Sequence, residues 1–398
     1  MASMVIGTED SGRTRVNGFV ESKRIAIRSL PRRVVDEYSR RRRSIDGPED
    51  PQYSPYHIVI RMNETVQGNY SRSPVNETRL RERFARSVEA VPDTLYPEVL
   101  VVVENSAYDG FDTQYGHDIY GLLEYLLAFW NGVDLKYRSV DTPKIRINIA
   151  AIVLGEEPAA TPYIDNNKVS LTAFDVWKAM PESQAFWYGV KDTFPLDSYD
   201  IAATMTRHDF GLDAYILGQA YLGAACQRDD DGKTINAVSI FQDDGVFSGV
   251  HTIAHELGHV LGAGHDLTDE NCVYNYGFLM AGAVRLTSNS SDLSPCSMKD
   301  VQQRLNDQQL TCLYNRPKVD KESLPRLMPG RVKDLKAQCE SLTGGSSCQD
   351  EYPEYSVCEK MYCFNNEGEC TPTSATALDG TQCGSEKNFC LHQRCVSL

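Results

Sequence analysis

The apolar residues of this chain follow two different periods, and where each period holds outlines the fold. Within Leu95 to Glu104, Val99-Leu100-Val101-Val102-Val103 is an unbroken, largely β-branched run, the pattern of a strand buried on both faces. Between His117 and Trp130 the spacing changes, and Ile119, Leu122, Leu123, Leu126, Leu127 and Trp130 recur at helical intervals. Ile145 to Leu154 returns to a strand pattern. A strand, a helix and a second buried strand predict a right-handed βαβ unit on a parallel sheet. A further amphipathic stretch surrounds Val169 to Met180. Asn236 to Gln242 predicts another strand, followed directly by a helix from about Gly249 to Leu261. The first ninety residues are arginine-rich and weakly patterned, whereas residues 316 to 338 are rich in Pro, Lys and Arg and read as a linker. No internal repeat is visible, and no apolar run approaches the roughly 18 to 20 residues of a membrane span.

Composition changes the picture at the two ends. With 398 residues, 41% of them apolar, the chain can build one large domain of about 200 residues plus smaller ones. Met1 to Asp10 carries no apolar signal-peptide core, so either the protein is cytosolic or the sequence lacks its native N-terminus. Cysteine placement favours the second reading. All twelve cysteines lie at or after Cys226, and eight crowd between Cys339 and Cys395 without a C-x2-C knuckle. That is how a disulfide-stapled module of an oxidising compartment looks, rather than a zinc cluster. Four glycosylation sequons, at Asn63, Asn69, Asn76 and Asn289, point the same way.

Residues 1–86 carry 17 Lys and Arg against 11 Asp and Glu, a net of +6, so with a whole-chain charge of −15 the remainder carries −15 − 6 = −21. So acidic a body disfavours nucleic acid, and some of its carboxylates are candidates for calcium. Two basic clusters, Arg40-Arg41-Arg42-Arg43 before Ser44 and Arg83-Phe-Ala-Arg86 before Ser87, look like cleavage sites of proprotein convertases. The second falls just ahead of the first regular structure and is the expected processing site.

The chemistry concentrates in His255-Glu256-Leu257-Gly258-His259-Val260-Leu261-Gly262-Ala263-Gly264-His265-Asp266. On a helix, His255 and His259 are four apart and share a face, so their imidazoles can hold one metal. Gly262 can leave helical dihedrals at little steric cost and let the chain bring His265 to the same ion. Three imidazoles leave a fourth position open, as a catalytic zinc requires and a structural zinc does not. Glu256, beside the first ligand, is placed to act as general base toward water. Met280, fifteen residues past His265, is a candidate for a polarizable floor beneath the imidazoles.

These residues resemble the reprolysin (adamalysin) branch of the metzincins over residues 95–317. Asp266 directly after the third histidine is that branch's mark and a supporting residue behind the ligands, and Met280 matches its Met-turn. Ser239-Ile240-Phe241 looks like the strand before the zinc helix. Gly218 to Cys226 is similar to the edge strand along which peptide substrates lie, and Cys312 to Pro317 to the C-terminal signature. Residues 328–398, with Leu-Met-Pro-Gly before Cys339, resemble the disintegrin-like module of ADAM-TS proteases. The combination is similar to metalloproteases secreted in tick saliva.

The resemblance implies an α+β metzincin (zincin-like) domain, a twisted, mixed, mostly parallel five-stranded sheet packed by helices, followed by a small disulfide-rich module. The corresponding division is a pro-segment at 1–86, lacking its own N-terminus, a catalytic domain at 87–317, a linker at 318–335 and the module at 336–398. The implied activity is that of a secreted, monomeric zinc endopeptidase acting on extracellular proteins, matrix or clotting proteins among them. The resemblance also implies disulfides Cys226–Cys312 and Cys272–Cys296. It further implies a structural calcium held by Glu98, Asp200, the carbonyl of Cys312 and the side-chain oxygen of Asn315. Three departures stand out. No cysteine precedes Cys226 to latch the zinc, Ala281-Gly282 replaces the usual proline after the Met-turn, and the module has no Arg-Gly-Asp.

Overall fold

The computed structural model describes residues 90–397 apart from 115–118, 212–215, 267–271, 284–286, 288, 318–326 and 385–386, together with four strands within the first 61 residues. It divides into two units, Met1–Ser87 and Val88–Leu398. In the first, Ala2–Thr8, Thr14–Val20, Ile25–Ser29 and His57–Arg61 form an antiparallel sheet in chain order. The sequence pattern did not predict these strands, because stretches as short as Ile58-Val59-Ile60 hardly stand out among the surrounding charges. The arginine clusters and Asn63, Asn69 and Asn76 lie outside the described residues.

The second unit is organised by a five-stranded sheet of β1 (Glu98–Val103), β2 (Asn148–Leu154), β3 (Ile201–Thr206), β4 (Gly218–Ala220) and β5 (Val238–Gln242), in the order β4-β5-β3-β1-β2. All neighbours are parallel except β4, which runs antiparallel along β5 at the edge. The sheet is therefore mixed and mostly parallel, as the resemblance implied. Its central strand shows why the β1 run is continuously apolar. Val99, Val101 and Val103 face one core, Leu100 and Val102 the other, and all are buried.

The first core is closed by α1 (Asn105–Gln114), α2 (Ile119–Lys136) and α4 (Gly249–Leu261), contributing Phe129, Leu257 and Leu261 among others. The second is closed by α3 (Val176–Gly189), which buries Trp187 beside Tyr163 and Phe174. Helix α2 outruns its predicted end at Trp130, because Val133 and Leu135 extend its buried stripe. Around Val169 to Met180 only the second half is helical. Asp175 caps the start of α3 by accepting the Lys178 N–H at 3.3 Å, and the residues before it turn back so that Lys168 bridges Phe174.

After α5 (Pro295–Asn306) and the turn Thr311–Tyr314, Leu327 packs on the first core. Asn131 of α2 donates to the Leu327 carbonyl at 2.7 Å, and Pro329 lies against Gly132, where a Cβ would stand 3.0 Å from its ring. Leu327, Pro329 and Val332 bring apolar surface to α2 and pack on it. Beyond it, α6 (Leu335–Thr343) and two hairpins are stapled by Cys339–Cys363, Cys348–Cys370, Cys358–Cys390 and Cys383–Cys395. The second hairpin, β6 (Asn388–Leu391) and β7 (Arg394–Ser397), reaches α2 through its turn, where the His392 imidazole meets the Leu135 carbonyl at 2.9 Å.

Candidate metal centre and active site

Helix α4 carries the chemistry, and the chain fixes it at both ends. At its start the buried Asp243 accepts the Gly249 N–H at 2.9 Å, the Gly245 N–H at 3.0 Å and the Tyr125 hydroxyl at 2.6 Å, so donors that the helix leaves unpaired are satisfied. At its end Gly262 takes φ 111° and its N–H turns back to Gly258 and His259, the left-handed stop that favours glycine. Two carbonyls of the last turn are claimed by the segment following β4: Gly223 N–H donates to His259 at 2.7 Å and Ala225 N–H to Val260 at 3.0 Å.

Beyond Gly262 the chain returns His265 to the two helix histidines. Its Nε2 stands 3.0 Å from Nε2 of His255 and 3.0 Å from Nε2 of His259. The other ring nitrogens are occupied: His255 Nδ1 donates to the Leu279 carbonyl at 2.7 Å, and His259 Nδ1 to the Ala263 carbonyl at 2.8 Å. Holding the proton on Nδ1 leaves the Nε2 lone pairs facing one point. Converging lone pairs repel unless a cation lies among them. Burial opposes a shared proton, for it pushes His255 and His259 down to about 4. Three neutral imidazole nitrogens are a donor set that zinc takes, and the residues fit that metal.

The supporting shell is built from distant parts of the chain. Met280 is fully buried against α4 at Gly258, where a Cβ would come within 2.3 Å of its sulfur. Asp266 anchors the Met-turn: its N–H donates to the Met280 carbonyl at 2.9 Å, and its Oδ1 accepts the hydroxyls of Ser294 at 2.5 Å and Ser297 at 3.4 Å. Glu256 is buried on the side of the edge strand. A Cβ on Gly218 would lie 2.6 Å from its Oε1, so only glycine lets the β4 backbone pass so close. Burial raises Glu256 to about 8.

Sequence reasoning marked Gly218 to Cys226 as an edge strand but missed its contacts with α4 through Gly218, Gly223 and Ala225, and it missed the parts played by Gly258, Ser294 and Ser297. Each acts across a long loop, and only the glycines leave a sequence signal, as small residues on faces that must be approached closely. Cys226 is bonded to Cys312 and Cys272 to Cys296, and every cysteine among the described residues is paired. Away from the histidines, Glu98, Asp200 and Asn315 also meet. The Glu98 N–H donates to Asp200 at 2.9 Å, and the Asn315 amide donates to the Glu98 carboxylate at 2.5 Å. Asn289 is half-buried, its amide donating to the Tyr276 carbonyl at 3.1 Å.

Comparison with known proteins covers both parts of this unit. The family model described as Reprolysin (M12B) family zinc metalloprotease matches residues 95–317, more than half of the chain, and ADAMTS cysteine-rich domain 2 matches residues 329–396. "A disintegrin and metalloproteinase with thrombospondin motifs like" of Bombyx mori is 32% identical over 397 residues, covering 92% of this chain and 54% of its own length. "A disintegrin and metalloproteinase with thrombospondin motifs 6" of Homo sapiens is 28% identical, covering 84% of this chain and 29% of that one. "Venom metalloproteinase 2" of Eulophus pennicornis is 27% identical, with 67% and 59% covered. The chain thus spans less than two thirds of the length of each of these relatives. The sheet, α4, the histidine triplet and the Met-turn all fall inside the first matched span, and the chain belongs to the reprolysin (M12B) family of zinc metalloproteases.

Proposed function

We propose that the protein is a secreted zinc endopeptidase that cleaves extracellular proteins, with Glu256 as general base. The observation that carries this reading is the buried Glu256 carboxylate, set between the converging imidazoles and an antiparallel edge strand. His255, His259 and His265 would hold the zinc, which when bound supplies Lewis acidity toward water and the scissile carbonyl. Glu256 takes a proton from the attacking water on its carboxylate oxygen and returns it to the leaving amine. The edge strand β4 offers backbone donors and acceptors to an extended peptide, which binds as one more strand. No covalent acyl-enzyme is needed.

Six disulfides fit an oxidising compartment. Among the described residues, no helix is long and apolar enough to cross a membrane. In this reading the protein works as a monomer, residues 1–86 are a pro-segment, 87–317 the catalytic domain and 336–398 the module. The test runs in two stages. Secreted material is first sequenced at its N-terminus, where Ser87 is expected and Ser44 would assign processing to the tetra-arginine cluster. That material is then incubated with plasma and matrix proteins. New N-termini are expected in the zinc-loaded sample alone, and equal numbers in a chelated sample would reject the reading.

The meeting of Glu98, Asp200 and Asn315, which lies three residues along the chain from Cys312, supports a structural calcium at that place. Two carboxylates, an amide oxygen and a carbonyl, completed by water, make a donor set for a hard cation. The Asn315 amide would turn its oxygen toward the ion. Calcium at about a hundred times its dissociation constant would stabilise the fold by about 2.7 kcal/mol. Melting with and without millimolar calcium, at constant zinc, should show an upward shift that Asp200→Ala abolishes. Identical shifts in wild type and variant would remove the site.

A further inference from the structure

A chamber of about 250 Å3 lies between the catalytic domain and the cysteine-rich module. Its walls include Gly132 and Lys136 of α2, Val250 and His251 in the first turn of α4, and Leu378 and Asp379 of the module. Neither the zinc ligands, Glu256 nor any residue of β4 lines it. The volume is large for a packing void and near the lower end of ligand pockets, which begin at about 300 Å3.

Its chemistry is lopsided. The Lys136 ammonium donates to the Ser291 hydroxyl at 3.2 Å, and among the described residues it forms no ion pair. Burial lowers its pKa, opposed by the charges of Asp379 and Asp292. Asp379 is engaged elsewhere, accepting the His392 N–H at 2.8 Å. A second amine, Lys333, also lines the chamber and is likewise lowered by burial. His251 faces the same space, and burial together with Lys136 pushes it down to about 3, which leaves it neutral. The remaining surface is largely apolar, with Val250, Met361 and Leu378 among its residues. The Lys136 side chain is half-buried, and an anion brought into contact with its amine supplies the close partner that it lacks among the described residues.

We propose that this chamber binds a small molecule that joins one carboxylate to a short apolar body. The carboxylate sits on Lys136 Nζ, and the apolar body lies against Val250, Met361 and Leu378. Because the walls come from both α4 and the module, the bound molecule also fastens the module to the base of the zinc helix. None of this depends on the peptidase reading, since no residue of that machinery is involved.

Hexanoate is a suitable probe, with hexylamine and 1-hexanol as charge controls, on the full zinc-loaded chain. Saturation-transfer NMR should show saturable binding of hexanoate and none of hexylamine. Lys136→Met should weaken it by about tenfold or more, while Lys136→Arg stays within about threefold of wild type. Hydrogen exchange on the wild type needs no variant: hexanoate should slow exchange both at 246–251 and at 375–379. Equal binding of 1-hexanol, unchanged binding by Lys136→Met, or protection confined to other segments would each overturn the proposal.

Discussion

Replacing Glu256 by alanine leaves zinc bound and lowers peptide hydrolysis by at least about a hundredfold. The two halves of that result have separate causes. The three imidazoles are positioned without Glu256, through the Leu279 and Ala263 carbonyls and through Asp266 behind the Met-turn. The metal donors therefore survive the substitution. What disappears is the only carboxylate of α4, the group proposed to accept the water's proton. Glu256→Gln is the companion variant, because it keeps the volume behind Gly218 but cannot accept the proton. Turnover by either variant at wild-type rate would remove Glu256 as the base.

The second large effect is on stability. Replacing both Cys226 and Cys312 by alanine should cost about 4–5 kcal/mol in the chain-entropy account, because the bond closes a loop of 86 residues. The loss should also reach the active site. Cys226 follows Ala225, whose N–H holds the Val260 carbonyl at the end of α4. Cys312 precedes Leu313, whose carbonyl accepts the Tyr96 N–H just ahead of β1. The bond therefore ties the clamp on the zinc helix to the end of the catalytic domain. Denaturant unfolding of the double variant measures the cost, and a loss below about 1 kcal/mol would show that native packing holds this closure without the bond.

The parts of the fold that were legible in the sequence are those written in neighbouring residues. The β1 run announced a doubly buried strand, and the interval from His255 to His259 with Gly262 announced a helix that stops and turns. The predicted limits of that helix, Gly249 and Leu261, are its limits in the fold. Illegible were the contacts that make the site rigid. Asp266 could be singled out by its place after His265, but its serine partners are 28 and 31 residues away and belong to no local pattern. The same holds for Gly218, whose importance comes from a glutamate reached only once β4 lies alongside α4. Asp175 illustrates a different limit. The stretch from Val169 to Met180 is amphipathic throughout, but the Asp175 cap decides where helical hydrogen bonding begins.

The central claim is that three histidines from one helix and the turn beyond it hold a single zinc. Elemental analysis of purified wild type and His259→Ala, both exposed to the same limiting zinc, measures it directly. One equivalent of zinc in the wild type and a small fraction of one in the variant is the predicted result, whereas a full equivalent in His259→Ala would contradict the account.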